Sequence, residues 1–244
     1  MGNHSSLYPA VNAPSPIRLA GCMSVPRQGY LDCLDQSMGV LQQSHAPLFM
    51  GFGVFWHHAL SRSIDKALAS GHFDMILSLD YDVFATFPML AQLVCLLYDN
   101  PEVDILVPLL AKRNNGGVVA ETFEEVDLRQ PLVPIRAGHF AFTLFRSSVF
   151  ARLSKPWFRE QPAPDGGWGD ERIDADIGFW HNANQCGVQV MLATQVCIGH
   201  GDEVIAWPRV TDGVQETVYQ SLAEWHAAKA SPPSIGIIQS HVAV

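Results

Sequence analysis

The chain has 244 residues, 48% of them hydrophobic and 16% charged, which is the balance of a globular protein with a full core. Its formal net charge of −9 argues against broad electrostatic binding to nucleic acid. No apolar run approaches the ~20 residues that cross a bilayer, and the five cysteines show no C-x-x-C spacing, so we expect reduced, buried thiols in a cytoplasmic protein.

Strand-like and helix-like segments alternate along the first 110 residues. In chain order the pattern predicts a strand at 17–25, a helix at 30–43, a strand at 47–52, a helix at 55–70, a strand at 74–79, a helix at 88–98 and a strand at 104–110. This alternation predicts an α/β fold with a parallel, Rossmann-like sheet. No Gly-x-Gly-x-x-Gly or Walker-type loop follows the first strand, which disfavours dinucleotide binding and P-loop chemistry.

The second half of the chain is less regular. We expect irregular structure at 111–135, a strand at 133–145, a short helix at 147–153, a Pro/Gly-rich mobile lid at 161–170, a helix at 174–186, a strand at 188–198 and an amphipathic helix at 214–228. The composition predicts a flexible N-terminal arm at 1–16, a single domain at 17–230 that ends in a C-terminal helix at 213–230, and a tail at 231–244.

Two carboxylates follow the apolar run Met75–Leu79, which has the length and composition of a strand buried on both faces. Asp80 and Asp82 lie two residues apart, so an extended backbone directs both side chains to one side. Ligands of open α/β sheets bind at this end of the strands. Paired carboxylates there suit Mg²⁺ or Mn²⁺ bound to a diphosphate. The alternative is that both residues only cap the next helix or lie solvated in a turn.

The order of motifs resembles the GT-A fold glycosyltransferases, most closely the inverting family 2 group, over roughly residues 17–205. The resemblance rests on four segments: Asp80-Tyr81-Asp82, similar to the D-x-D motif; Ala137–Arg146 with Val149-Phe150, similar to the acceptor-side strand and helix; Asp174-Ala175-Asp176, at the place of the acidic helix start; and Ile198-Gly199-His200-Gly201, similar to the closing Gly-His.

The resemblance implies a mostly parallel central sheet flanked by helices, with a small acceptor-side subdomain. It also implies a nucleotide-sugar-binding half at 17–110 and an acceptor and catalytic half at 111–205. The expected activity is metal-dependent transfer of a sugar, of the hexosyl type, from a nucleoside-diphosphate sugar such as a UDP-sugar to an acceptor hydroxyl with inversion.

The resemblance also assigns the metal ligands. Asp80, Asp82 and His200 are the expected ligands, and an imidazole nitrogen favours Mn²⁺ over Mg²⁺. The alternative for His200 is a surface histidine in a glycine-rich turn.

The general base expected from the resemblance is Asp176. Ala175 stands where the first acid of the family's pair usually lies, so Asp174 remains a rival for this role. Either carboxylate could instead be an ordinary helix N-cap.

Two further sets of residues complete the expected site. The nucleotide contacts are Ser24, Val25, Pro26, Arg27, Arg62, Asp80 and Tyr81. The acceptor contacts are His139, Trp157, Trp168 and Asp170, although either tryptophan could equally be a packing residue.

Other functions stay open at this stage. A nucleotidyltransferase shares the sheet and the acid pair, and Ala175 leaves room for an inactive GT-A-like binding protein. The acceptor could be a glycan or another small hydroxyl compound. A hydroxymethylated DNA base is a minority hypothesis that rests on basic residues in the second half, which acidic residues intersperse: Arg113, Arg129, Arg136, Arg146, Arg152, Lys155, Arg159 and Arg172.

Overall fold

The computed structural model describes residues 17–25, 30–112, 117–123, 127–201 and 204–228. The helices in these ranges are α1 (Leu31–Gln43), α2 (Trp56–Ser70), α3 (Phe87–Asp99), α4 (Val149–Arg152), α5 (Ala175–Gln185) and α6 (Leu222–Ala227). The strands are β1 (Leu19–Val25), β2 (Leu48–Phe52), β3 (Met75–Leu79), β4 (Val83–Phe84), β5 (Ile105–Leu110), β6 (Glu121–Thr122), β7 (Leu132–Ala137), β8 (Leu144–Arg146), β9 (Val190–His200), β10 (Val204–Thr211) and β11 (Val214–Ser221). None of these helices has the length and hydropathy needed to cross a bilayer.

One mixed sheet runs through the described part of the chain, in the order β11-β10-β9-β5-β8-β3-β1-β2. Strands β2, β1 and β3 are mutually parallel, and β5 is parallel to β9. Strand β8 lies antiparallel between β3 and β5, so these two point the same way. The centre of the sheet is therefore mostly parallel, and the predicted α/β fold class is confirmed.

Apolar side chains alternate between the two faces of the sheet, as the two-residue period of a strand requires. In β3, Ile76 packs in one cluster with α2 and α5, whereas Leu77 packs in another with α1 and α3. Helices thus cover both faces, and the strands between them read as near-continuous apolar runs.

The C-terminal region differs from the prediction. A helix was expected over 213–230, but 214–221 form β11, which pairs antiparallel with β10, and only Leu222–Ala227 are helical. The turn between the strands is Asp212-Gly213, and both residues have positive φ angles, of 52° and 80°. Asp-Gly is a favoured two-residue hairpin turn because its backbone matches the twist of paired strands.

The segment expected to be one strand at 133–145 is divided. Strand β7 ends at Ala137, β8 begins at Leu144, and the six residues between them are irregular. The expected helix at 147–153 is limited to α4. The predicted arm at 1–16 and the tail at 231–244 lie outside the described residues.

Candidate active site

A cavity of about 390 Å³ opens beside the carboxyl end of β3. It brings together four residues of the predicted site that come from three distant parts of the chain: Asp80, Tyr81, His139 and Asp176. Apolar side chains that the sequence did not single out form the rest of its wall, among them Val54, Trp56 and Val119. These three carry no motif, so only the fold could identify them.

The Asp80 carboxylate is held at the junction of β1 and β3. Its Oδ1 accepts hydrogen bonds from the Ser24 hydroxyl at 3.3 Å and from the Tyr81 backbone N–H at 3.0 Å. Ser24 is near the end of β1, which is parallel to β3, so the neighbouring strand directly braces the carboxylate. Two predicted nucleotide contacts, Ser24 and Asp80, therefore touch each other.

Asp82 lies next to His200. Strand β4, which follows Asp82 directly, pairs with the end of β9, and Val83 lies opposite His200. The Asp82 side chain is buried, and its Oδ2 is 3.6 Å from His200 Nε2. The pairing of β4 with β9 thus brings His200 beside Asp82.

The Nδ1 atom of His200 has a backbone partner, which leaves Nε2 as the nitrogen that faces Asp82. His200 Nδ1 lies 3.1 Å from the carbonyl oxygen of Ala111. Because a carbonyl only accepts hydrogen bonds, Nδ1 donates to it, and Nε2 is the nitrogen that lies on the Asp82 side. A backbone carbonyl on the far nitrogen is the usual support of a metal-binding histidine.

The three-ligand set expected from the sequence is not assembled. Within the described ranges, no group of three or more histidine, cysteine and carboxylate side chains is arranged to hold a metal ion. Asp82 and His200 form a pair, whereas Asp80 is turned toward Ser24. One carboxylate oxygen and one imidazole nitrogen fit an ion that completes its coordination with phosphate oxygens and water.

His139 lines the cavity, but both of its ring nitrogens have protein partners. Nε2 donates to the Pro108 carbonyl at 2.9 Å, and Nδ1 accepts from the Ala141 N–H at 3.2 Å. Burial lowers the pKa of His139 to about 4, so the ring is neutral at pH 7. Its ring nitrogens are therefore used to fix residues 139–141 against β5, and the acceptor contact of His139 stays a prediction in which only the ring carbons are available.

The two candidate bases are separated by the structure. Asp176 is half-buried in the first turn of α5 and lines the cavity, with its Oδ1 accepting from the Ile177 N–H at 2.9 Å. Asp174 is exposed, does not line the cavity, and binds Arg172 Nε at 2.7 Å. Of the two carboxylates, only Asp176 lines the cavity.

The remaining predicted contacts lie away from the cavity wall. Trp157 is buried, donates to the Phe150 carbonyl at 3.2 Å and packs on the Phe150 ring, so it is a core residue and the acceptor assignment is wrong. Trp168 and Asp170 are exposed on the loop that the Gln161–Ile173 bridge closes.

The nucleotide side of the predicted site is described only in part. Val25 ends β1 and accepts a backbone hydrogen bond from Gly53 at 3.3 Å, and the exposed Arg62 side chain donates to the Phe52 carbonyl. Pro26 and Arg27 lie outside the described residues.

The basic residues of the second half do not form a free positive surface. Five of them pair with a carboxylate: Arg129, Arg136, Arg152, Lys155 and Arg172. Arg146 donates to backbone carbonyls at the end of α3 and just beyond it, Arg159 donates to the Lys155 carbonyl and has no carboxylate partner within the described residues, and Arg113 lies outside them. A groove that follows a nucleic-acid backbone needs several unpaired cations, and Arg159 alone among the described residues of this set is neither paired with a carboxylate nor bonded to several carbonyls, so this arrangement does not support a DNA acceptor.

Comparison with known proteins identifies the fold. No family model and no curated protein matches the sequence. Among solved structures, A197 from STIV matches with a TM-score of 0.58 and 12% identity over 84% of this chain and 95% of that one. GalNAc-T7, solved with UDP, GalNAc and Mn²⁺, matches with a TM-score of 0.52 and 11% identity over 75% of this chain.

The chain spans 44% of the length of GalNAc-T7, so the match concerns one part of that protein. At these identities the likeness shows the fold. Together with the sheet order, it confirms that the chain has the GT-A fold predicted from its motifs.

Proposed function

We propose that the chain is a metal-dependent glycosyltransferase that moves a sugar from a nucleoside-diphosphate sugar to an acceptor hydroxyl with inversion. The observation that carries the proposal is one cavity lined by Asp80, Tyr81 and Asp176, with the Asp82–His200 pair next to it beyond the end of β3. The GT-A fold supports it, because a structure with this fold, GalNAc-T7, was solved with UDP, GalNAc and Mn²⁺.

On this proposal, Asp82 and His200 hold Mn²⁺, or Mg²⁺ as the second choice, together with the donor's phosphate oxygens. The ion supplies Lewis-acid stabilisation of the negative charge on the departing diphosphate. The hydrogen bond from Ser24 holds the Asp80 carboxylate in place, and this carboxylate would accept a hydrogen bond from a ribose hydroxyl or a water molecule. The Tyr81 ring lies beside the ribose.

Asp176 acts as the general base. As the acceptor oxygen bonds to the anomeric carbon and the bond to the diphosphate breaks, the hydroxyl proton passes to the Asp176 carboxylate. The apolar wall of Trp56, Val119 and Phe140 keeps water from competing with the acceptor, and the aromatic rings offer faces to a sugar.

The acceptor class favoured by this cavity is a glycan or another small hydroxyl compound, and UDP-sugars of the hexosyl type are the first donors to test. We place the reaction in the cytoplasm because all five thiols are free, two of them exposed.

The test is a screen of nucleotide-sugars with and without Mn²⁺, with and without simple sugar acceptors, in which the release of nucleoside diphosphate is measured. We expect one donor to be hydrolysed or transferred in a reaction that EDTA abolishes. Nucleotide binding with Mn²⁺ but no release from any donor would instead indicate the inactive binding protein. Release of pyrophosphate from a nucleoside triphosphate would indicate the nucleotidyltransferase.

A further inference from the structure

A second pocket, of about 200 Å³, lies on the side of α5 away from the proposed active site. Polar and cationic side chains line it: Ser154, Arg159, Gln161, His181, Asn182 and Gln185. None of them lines the cavity that holds Asp176. The pocket is smaller than the ~300–1,000 Å³ typical of sites for drug-sized ligands, so it suits a small group rather than a nucleotide-sugar.

The charge of this pocket is unusual for the chain. No aspartate or glutamate lines it, although the chain carries 24 acidic residues against 15 lysines and arginines. Within the described part of the chain Arg159 forms no ion pair, and its side chain donates only to the Lys155 carbonyl, at 3.5 Å. By contrast, neighbouring Arg152 and Arg172 each bind a carboxylate oxygen at 2.7 Å.

The nearby carboxylates have other partners. Glu160 Oε1 lies 3.5 Å from His57 Nε2, and Asp65 binds Lys155. The pocket therefore keeps a guanidinium, an imidazole and side-chain amides with no acidic residue among them.

The walls of the pocket are held in place by the fold. Asn182 and Ser154 bond to each other twice, at 3.0 Å and 3.3 Å. Gly178 packs so closely on the backbone of Arg159 that a Cβ would lie 2.0 Å from the Arg159 carbonyl oxygen. The floor of the pocket and the base of the arginine are therefore fixed to α5, which lowers the entropic cost of binding.

We infer that this pocket is a second binding site, for a phosphate group on a small molecule, with Arg159 as its charged ligand. A guanidinium binds phosphate through two parallel N–H donors, and the amides of Gln161 and Gln185 add neutral donors. Gln161 and Ile173 line the pocket and also form the bridge that closes the 161–173 loop. A bound phosphate would therefore connect the closed end of this loop to α5. The site goes beyond the proposed function and does not depend on it.

The test is a titration of the intact chain with inorganic phosphate at constant ionic strength, with EDTA present so that no metal-bound phosphate contributes. The backbone amide resonances of Gln161 and Ile173 report binding. We expect saturable shifts, and at least about a tenfold loss of affinity in Arg159→Gln, the loss of one charge-assisted bidentate contact.

Arg172→Gln is the matched control, because Arg172 is also exposed and lies in the same loop but outside the pocket. Unchanged affinity in this variant supports the site. Absence of saturation, or an equal loss in both variants, would overturn the inference. Acetate binding as tightly as phosphate would show that the ligand class is wrong.

Discussion

At the scale of single residues, the contact between Asp82 and His200 gives a direct test of the proposed metal site. We expect Asp82→Asn to weaken Mn²⁺-dependent donor binding by on the order of ten- to a hundredfold. The reason is that the charged carboxylate that faces Nε2 becomes a neutral amide, which has little affinity for the ion. Isothermal titration calorimetry with the donor identified in the screen measures the effect. His200→Gln should act in the same direction.

The control for the histidine is His226→Gln. His226 is exposed and lies 3.2 Å from Asp32, so it forms a similar pair away from the cavity. Donor binding that survives Asp82→Asn and His200→Gln alike would move the metal elsewhere.

The second residue-scale prediction concerns the base. Asp176→Asn should lower turnover by about 10²–10⁴-fold while donor affinity stays unchanged, because the amide cannot take the acceptor proton. Steady-state rates and donor titrations separate the two effects. Asp174→Asn, which removes an exposed carboxylate paired with Arg172, should leave turnover near that of the parent. A reversed outcome would make Asp174 the base.

His139 predicts a pH dependence of stability. Its folded-state pKa of about 4 lies below the ordinary value of 6.5, so the unfolded chain binds the extra proton first as the pH falls. Above pH 6.5 the titration of His139 leaves the free energy of unfolding unchanged. The free energy of unfolding falls by about 3 kcal/mol as the pH drops from 6.5 to about 4.

Urea unfolding at several pH values measures this loss. His139→Gln keeps an amide that can donate and accept but does not titrate, so this part of the pH dependence should disappear. An identical pH profile for the parent and the variant would contradict the assignment.

At the scale of elements, two glycines in helices have opposite surroundings. Gly178 in α5 touches the backbone of Arg159, whereas at Gly39 in α1 no atom lies within 4 Å of the place that a β-carbon would take. We expect Gly178→Ala to destabilise the fold by about 1–3 kcal/mol through overpacking. Gly39→Ala should stabilise it by up to about 1 kcal/mol, because alanine is the better helix former.

Chemical denaturation of both variants gives the two free energies of unfolding. Because the same substitution is made in two helices, helix propensity cancels and the difference reports the packing of α5 against residue 159. Equal effects would show that α5 adjusts without cost.

Elements were predictable where one interpretation of the apolar pattern was possible. The seven helices and strands predicted for the first 110 residues occur in the expected order, with boundaries that shift by only a residue or two, but the two-residue strand β4 was not predicted. The structure of the region 214–228 was not predictable in this way. Its apolar residues Val214, Val218, Leu222 and Trp225 match a helical spacing, but its β-branched and aromatic residues also suit a strand. The Asp212-Gly213 turn was the signal that distinguishes the two.

The residues of the site were also predictable only in part. The acid pair could be placed from the sequence because it follows a buried strand, and the convergence of Asp80 and Asp176 was expected from the family resemblance. The sequence analysis already favoured Asp176 over Asp174, but it could not show that Arg172 binds Asp174 and that only Asp176 lines the cavity. The burial of Trp157 depends on its packing against Phe150, which lies in a different element and leaves no local pattern.

At the scale of the whole molecule, helix α6 and the C-terminal hairpin pack against β4, the strand that follows Asp82. Trp225 stacks on Trp207 with ring centroids 5.4 Å apart and meets Phe84 of β4 edge-on at 5.2 Å. We expect Trp225→Ala to cost about 3–5 kcal/mol in the free energy of unfolding and also to weaken donor binding, because β4 loses the surface that holds it beside β9.

Denaturation and donor titration test both parts of this prediction. Trp168→Ala is the matched control, since its ring is 60% exposed, and stability should change by less than about 0.5 kcal/mol. If Trp225→Ala lowers stability but leaves donor affinity intact, the packing of α6 on β4 and β10 supports the fold alone.

The position of β8 has a consequence for how the protein is made. Residues 17–110 contain β1, β2, β3 and β5, yet β8, which begins at Leu144, separates β3 from β5 in the sheet. A nascent chain that has left the ribosome only as far as residue 110 therefore has two unjoined strand edges where its centre should be. Such edges invite pairing with other chains, so we expect a nascent chain of this length to be prone to misassembly until β8 has been made.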